Sequence, residues 1–368
     1  MGSIAIKNLW AEKTRFAITV GGVALSITLM VVLTSLYQGW STKITAYIDA
    51  TGADIWVSQK GSADMFHGFS AIPAATREAI ARIPGVERVQ PFVGRQVAFD
   101  LNGKEVHTFL VGYEPAAGVG GPVEIVQGRG VNGPGEMVID RVFAKNTGLG
   151  IGDTLAILGH TFRVVGVAEG TNIFVYQYSF IEQGKAREML LAQAIDNYYI
   201  VKVAPEAGPQ TAIDAINAMP GVQAVTQDAF KELNRSLIDD TFLPIIIVLV
   251  VISLVAGIAV IALTIFTATI ERAREYGVLK AVGATNRSLY AIVLQQSMLS
   301  GLAGYLAGVV ISFGVILVVG QLVPAFLTAT RLVDLLLILA LAMGMSIVAS
   351  YIPVRRLVAI DPAMVFKQ

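Results

Sequence analysis

The sequence predicts an α-helical membrane protein with four transmembrane helices and a large α+β extracytoplasmic domain inserted between the first and second. Three observations predict it. Only 15% of the 368 residues are charged and the mean hydropathy is +0.65, whereas about a quarter of an ordinary soluble domain is charged. Four apolar stretches are each long enough to cross a hydrocarbon core of roughly 30 Å at about 1.5 Å per residue. Between the first two lies a polar, Gly- and Pro-rich region of about 200 residues without such a stretch, large enough to bury its own core.

Composition also removes function classes. The formal net charge is zero, with no basic cluster interleaved with aromatics, which argues against a nucleic-acid partner. Cysteine is absent, so disulfides, thiolate metal sites and cysteine nucleophiles are unavailable. No Gly-x-x-x-x-Gly-Lys-Ser/Thr phosphate loop occurs, so the chain lacks the usual ATP-binding motif. No nucleophile-elbow pattern marks a hydrolase. No catalytic residue, cofactor or metal is expected. The three histidines, His67, His107 and His160, lack metal-ligand spacing and read as surface residues.

In chain order, residues 1–15 alternate apolar and basic positions, with Ile4, Ile6, Leu9 and Trp10 against Lys7, Lys13 and Arg15. They read as an interfacial helix or simply as a cytoplasmic flank. Residues 16–36 are free of charge over about 21 positions, longer than a signal peptide's apolar region of about 7 to 15 residues, and form the first transmembrane helix. Residues 37–242 form the inserted domain with its stalk helices, and residues 243–269 the second span. Residues 270–288 form a cytoplasmic loop, residues 289–319 the third span, and residues 320–331 a short outer loop. Residues 332–352 are the fourth span and residues 353–368 a cytoplasmic tail.

Orientation rests on basic residues near the span ends. Lys7, Lys13, Arg15, Arg272, Arg274, Lys280, Arg287, Arg355, Arg356 and Lys367 gather on one side, against Arg331 on the other. Both termini and the 270–288 loop are therefore expected in the cytoplasm.

Inside the domain, Ile83-Pro84-Gly85-Val86 and Met219-Pro220-Gly221-Val222 each close an amphipathic helix and open a β-branched run. Strand-like runs at 54–57 and 199–203 precede the two helices. Two β-α-β units follow, either an internal duplication or a recurrent helix-to-strand turn. Between them, runs at 97–100, 108–113, 136–140, 154–158 and 161–167 read as strands. Asn102-Gly103 and Leu158-Gly159-His160 mark hairpins. Residues 228–240 and 42–48 read as stalks that prolong the second and first spans.

The 271–285 segment carries the functional signal. Glu271 and Glu275 lie four apart on one helical face, with Arg274 beside them, and Gly277 and Gly283 flank Val278, Leu279 and Ala281. Small and apolar residues beside charges suit docking into a protein cleft. Ordinary positive-inside anchoring is the alternative. Gly301, Gly304 and Gly308 line one face of the third span and permit close helix contact, within the subunit or at a dimer seam. No span holds an ionisable residue near its centre, since Asp334 is terminal, which disfavours ion-coupled transport.

Arg272, Arg274, Glu275, Gly277, Lys280, Ala281, Gly283 and Ala284 stand in the register of the cytoplasmic motif of FtsX/MacB-like permeases, with Tyr276 where isoleucine is usual. The closing Pro353-Val-Arg-Arg with Asp361-Pro362-Ala resembles that family's C-terminal signature. Residues 138–153 with the Val-Val-Gly-Val run at 164–167 resemble the MacB-like periplasmic core. The chain is therefore identified as a member of the FtsX/MacB-like ABC transporter permeases, of the mechanotransmission type.

The resemblance implies a separate cytoplasmic ABC ATPase that docks on Glu271, Arg272, Arg274, Glu275, Gly277, Lys280, Ala281, Gly283 and Ala284. It further implies a homodimer in contact with membrane lipids, a periplasmic adaptor as a further partner, and export or extraction of a hydrophobic or amphiphilic cargo. Because Met65 and His67 carry haem-ligating groups, haem is a candidate cargo alongside lipid, lipoprotein, peptide or drug. An FtsX-like signalling scaffold that regulates cell-wall hydrolases is the alternative function.

Overall fold

The computed structural model describes residues 13–62, 64–65, 70–171, 177–190, 194–323 and 326–358. The chain opens with α1 (Lys13–Ala50), followed by β1 (Ile55–Gln59), β2 (Ile72–Pro73), α2 (Thr76–Ala81), β3 (Val86–Leu101) and β4 (Lys104–Tyr113). A 3-10 turn (Pro115–Ala117) leads to β5 (Glu124–Gly128), β6 (Glu136–Asp140), α3 (Arg141–Thr147), β7 (Thr154–Ile157), β8 (His160–Glu169) and β9 (Tyr178–Glu182). Then come α4 (Gln183–Met189), β10 (Ile195–Asp196), β11 (Tyr198–Val203), α5 (Pro209–Asn217) and β12 (Val222–Thr226). The remainder is helical: α6 (Gln227–Glu271), α7 (Ala273–Ala281), α8 (Asn286–Leu322) and α9 (Leu332–Val358).

Four of these helices, α1, α6, α8 and the 332–351 part of α9, are long and apolar enough to cross a membrane. The interfacial segment lies almost wholly in residues 1–12, and Asp361-Pro362-Ala in the tail; both fall outside the described residues. The chain divides into two compact units, one of residues 1–39, 242–323 and 328–368, the other of residues 40–241 and 324–327.

In the membrane unit the spans pack through small residues. A Cβ placed on Gly22 would meet Val260 at 2.7 Å, and one on Gly257 would meet the Met345 sulfur at 2.8 Å. A core of Val23, Ile27, Met30, Ile261, Val293 and Met345 fills the space between the helices. The Thr28 hydroxyl donates to the Gly308 carbonyl at 3.1 Å and that of Ser297 to Ser346 at 2.5 Å. Such side-chain bonds between helices satisfy polar groups that hydrocarbon would leave bare. The 328–331 segment is pinned to α1, where the Ala329 N–H donates to the Ser35 carbonyl at 2.9 Å.

The inserted domain is built on a ten-stranded sheet ordered β12-β1-β11-β3-β4-β9-β6-β8-β5, with β7 on β8. Its first four strands interlock two split β-α-β units. β11 lies between β1 and β3, and β1 lies between β11 and β12, each pairing antiparallel. That is the ferredoxin-like arrangement. The two Pro-Gly turns occupy corresponding places: Gly85 has φ +86° and Gly221 φ +81°. Each glycine carbonyl receives the N–H just after the other unit's first strand, Lys60 to Gly221 at 2.9 Å and Ala204 to Gly85 at 2.9 Å. The matched bonds give the two units an approximate internal two-fold relation.

The 16-residue β3 then joins the halves, pairing β11 through Phe92 and β4 from Val93 onward. Its hairpin turns at Asn102 (φ 56°) and Gly103 (φ 79°), and the β7–β8 hairpin at Leu158 (φ 50°) and Gly159 (φ 82°). Positive φ at both central positions is the twist-compatible hairpin geometry. The expected strand at 154–158 therefore ends at Ile157, because Leu158 belongs to the turn.

Three cores fill this domain. Ile80, Ile213 and Ile216 of α2 and α5 cover one face of the ferredoxin-like half. An aromatic cluster on the other face includes Tyr47 of α1 and Phe230 of α6. Phe230 stacks on Trp56 with ring centroids 4.6 Å apart, and the Tyr47 hydroxyl donates to the Gly120 carbonyl at 2.6 Å. The third core, around Phe143, Phe162 and Ile181, belongs to the β-rich half.

Candidate functional site

The 271–285 segment folds as a short helix with defined ends. Arg272 leaves helical geometry (φ −98°, ψ 14°) after α6 ends at Glu271, and α7 starts one residue on. At the other end the Gly283 N–H donates to the Lys280 carbonyl at 3.1 Å and the Ala284 N–H to the Leu279 carbonyl at 2.9 Å. With Gly283 at φ +104°, this is a Schellman cap, which needs a left-handed residue at that position. The Thr285 hydroxyl then accepts from the Ser288 N–H and opens α8. Residues 282–285 alone connect the two helices.

The ends set which side chains face in. Tyr276 and Gly277 are buried, Tyr276 at 5% exposure within the core shared with Val23, Ile265, Leu289 and Val293. Tyr276 thus anchors α7 to the membrane unit, and an aromatic ring occupies a space where the family motif has an aliphatic one. Arg272, Lys280 and Ala284 are half-buried, whereas Glu271, Arg274, Glu275, Ala281 and Gly283 are exposed. Arg15 donates to Glu271 at 2.6 Å and so ties the start of α1 to the end of α6. Arg272 lies 3.9 Å from Glu275.

The outward face carries an apolar strip. Val278 is 44% exposed, Leu279 39% and Val282 83%. Val278 and Val282 are four residues apart, so they share one helical face. Val282 is absent from the residues expected at the site, although its spacing from Val278 was the signal that could have found it. Gly283 also has a role in the helix itself. A Cβ there would meet nothing within 4 Å, and the positive φ of Gly283 terminates the helix.

The glycine row of the third span faces inward. A Cβ on Gly301 would meet the Ser346 Oγ at 2.0 Å, one on Gly304 the Val23 side chain at 2.5 Å, and one on Gly308 Ile27 at 2.7 Å and the Ala24 carbonyl at 2.8 Å. These glycines hold α8 against α1 and α9 of the same chain, and that contact removes the need for a dimer seam to explain them.

The haem expectation loses its first ligand. Met65 is buried in the aromatic core, and its N–H donates to the Asn234 side chain at 3.0 Å. His67 lies outside the described residues. His107 is exposed, 4.0 Å from Glu105. Among the described residues no group of three or more His, Asp or Glu side chains has metal-binding geometry.

Comparison with known proteins gives this geometry a context. The MacB-like periplasmic core domain profile matches residues 16–219 and the FtsX-like permease C-terminal profile residues 247–362. An uncharacterized ABC transporter permease of Mycobacterium tuberculosis is 25% identical over 369 residues, covering 98% of both chains. A Staphylococcus epidermidis protein named as a hemin transport system permease is 22% identical over 368 residues, 98% of this chain and 97% of its own. The macrolide export ATP-binding/permease protein MacB of Nitrosomonas europaea is 22% identical across 98% of this chain and 58% of its own length. Among solved structures, the periplasmic region of MacB from Actinobacillus actinomycetemcomitans aligns with a TM-score of 0.38 and 14% identity, over 52% of this chain and 96% of that one. One profile covers more than half of the 368 residues and the other the membrane helices that follow, so the chain belongs to the FtsX/MacB-like family of ABC transporter permeases.

Proposed function

We propose that this permease couples ATP hydrolysis by a separate cytoplasmic ABC ATPase to a conformational change of its inserted domain outside the cytoplasm. The working unit is a homodimer carrying two ATPase copies, with both termini and α7 in the cytoplasm. That orientation puts Arg15, Arg272, Arg274, Lys280 and Arg287 on the positive-inside side, against Arg331 opposite. The cargo is hydrophobic or amphiphilic, of the lipid, lipoprotein, peptide, drug or haem class, and is exported or extracted from the outer leaflet. A periplasmic adaptor would extend the path.

The observation that carries this reading is the outward strip of Val278, Leu279 and Val282 on a short helix closed by the Gly283 cap, rimmed by Arg274 and Glu275 and anchored from behind by Tyr276. Exposed apolar anchors with a charged rim are the anatomy of a protein interface. In a permease without a phosphate loop, the ATPase is the partner that such a strip must meet. Relatives that carry an ATP-binding part in the same chain, such as the Nitrosomonas protein, support the pairing.

The test is co-purification of the co-expressed ATPase, with its stimulated ATP hydrolysis, from Val278→Asp/Val282→Asp and Glu275→Lys chains. Loss of about tenfold or more in binding is expected for the valine pair, the scale of a buried hot spot. A smaller loss is expected for Glu275→Lys. Undiminished binding and stimulation in the valine pair would refute the docking surface.

A further inference from the structure

The inserted domain leaves one sheet edge open beside a groove, and the coupling reading uses neither. β3 pairs β11 as far as Phe92 and β4 from Val93 to Leu101. Beyond Gly94, no described strand meets the edge that β11 has left. The Phe92 carbonyl accepts from the Asn197 N–H at 3.1 Å, and the Gly94 N–H donates to the Asn197 side chain at 2.9 Å. The pairing with β4 runs on without a bulge, and successive residues turn their backbone groups to alternate edges. Gln96 and Ala98 therefore present N–H and C=O to the open edge, as Phe92 and Gly94 do, and both residues are exposed.

The groove has a volume of about 370 Å³. Four consecutive residues of β3, 95–98, line it together with Leu158 of the β7–β8 turn and Met189 and Leu190 at the end of α4. No carboxylate lines it, and Arg95 is exposed without a hydrogen bond or ion pair among the described residues. Leu158 is a second sign of an occupant. It is 51% exposed at φ 50°, in the left-handed region where a hairpin turn ordinarily places Asn, Asp or Gly. A leucine there serves neither the turn nor the solvent, but it adds apolar surface to the groove.

We infer that the open edge of β3 takes up an internal, extended segment of a partner protein in which an apolar and an acidic residue stand two apart. The segment adds a strand by exchanging backbone hydrogen bonds with Gln96 and Ala98, while side chains give the specificity. Arg95 and Val97 lie on one face of β3, so side chains two apart on the added strand sit opposite them. The acidic one pairs with Arg95 across the strands. The apolar one covers Val97 beside Leu158, Met189 and Leu190. All these residues belong to the inserted domain, so the site does not rest on the docking role proposed for α7.

The experiment titrates the full chain in nanodiscs with a fluorescently labelled, end-blocked Thr-Val-Thr-Val-Thr-Glu peptide, followed by anisotropy against empty nanodiscs. Saturable binding is expected for the wild type, and none for the same peptide methylated at its backbone nitrogens. Gln96→Pro removes an N–H that points outward and no bond to β4, a change that strand edges tolerate. It should weaken binding about tenfold. Arg95→Glu should weaken it as much and restore it when the peptide's glutamate is replaced by lysine. Leu158→Asn suits the turn, so the melting temperature should hold or rise while binding falls severalfold. If Gln96→Pro does not fold, the charge exchange at Arg95 and Leu158→Asn decide the matter. No saturable binding up to millimolar peptide, full binding of the methylated peptide, or no recovery on charge exchange overturns the site. Loss of self-association in Gln96→Pro would put a second copy on the edge, and tighter binding of a peptide with a free carboxyl terminus would put a chain end there. Either result overturns the assignment to a partner's internal segment.

Discussion

Glu136 accepts from Arg129 through both carboxylate oxygens and from the Asn132 N–H at 2.8 Å. The Arg129 guanidinium, helped by that backbone bond, holds its carboxyl down at about 2. A depressed folded-state value means that the pairing stabilises the fold above the ordinary carboxylate range and is lost as pH falls toward 2. Thermal melts of the wild type and Arg129→Gln should therefore differ at pH 7 and converge between about pH 4.5 and 2. A difference that persists at pH 2 would assign the effect to packing. Gly283 makes a second residue-scale case. Its φ of +104° suits glycine, so Gly283→Ala should destabilise the α7 cap by about 1 kcal/mol. Faster amide exchange at Gly283 and Ala284 would report it, and Gly283→Asn should lie between. The register of this glycine was legible in the sequence; its work as a cap was not, because a cap is defined by the backbone angle and the two bonds it closes. Tyr276 likewise stood out in the sequence as a departure from the motif, and only the core around it shows that the larger ring is buried.

At the scale of elements, local chemistry was the most readable. Asn102-Gly103 and Leu158-Gly159 mark the two hairpins, and the Pro-Gly pairs mark the ends of α2 and α5, because positive φ is a demand on single residues. What joins β4 to β9 was not readable. That parallel pairing brings together segments about 70 residues apart, and five residues of β9 hold no signal of a partner so distant. Pro244 also sits within α6 without ending it, since the long apolar run on its far side outweighs one missing backbone donor. The glycine row of α8 offers the clearest element-scale test. Gly304→Val would drive a side chain into Val23, which lies 2.5 Å from the new Cβ. Overpacking of this kind costs about 1–3 kcal/mol, to be read as a lower melting temperature in detergent. Val23→Ala should restore much of the loss. A changed oligomeric state without rescue by Val23→Ala would return the row to a dimer interface.

For the whole molecule, hydropathy was enough to place four spans around one inserted domain, because the bilayer imposes a length that few other constraints mimic. The continuity of α6 carries the last prediction. Its 45 residues extend about 67 Å at about 1.5 Å per residue, more than twice a hydrocarbon core of roughly 30 Å. The helix is therefore longer than any span requires, and in its polar first third, from Gln227 to Asp240, Phe230 and Asn234 are buried within the inserted domain. In the proposed coupling, α6 is the element that transmits force, and it does so only while its hydrogen-bond ladder is intact. Asp239→Gly/Asp240→Gly, next to the donor already missing at Pro244, adds about 1 kcal/mol per glycine against the helix. These residues lie far in sequence from the Val278 and Val282 strip. ATPase binding and basal hydrolysis by the complex should therefore remain near wild type while cargo export falls severalfold or more. Paired measurements of hydrolysis and of cargo movement in the same reconstituted vesicles separate the two effects. Export that survives the glycine pair would mean that α6 is a tether rather than a lever, and loss of both activities would place the defect in assembly.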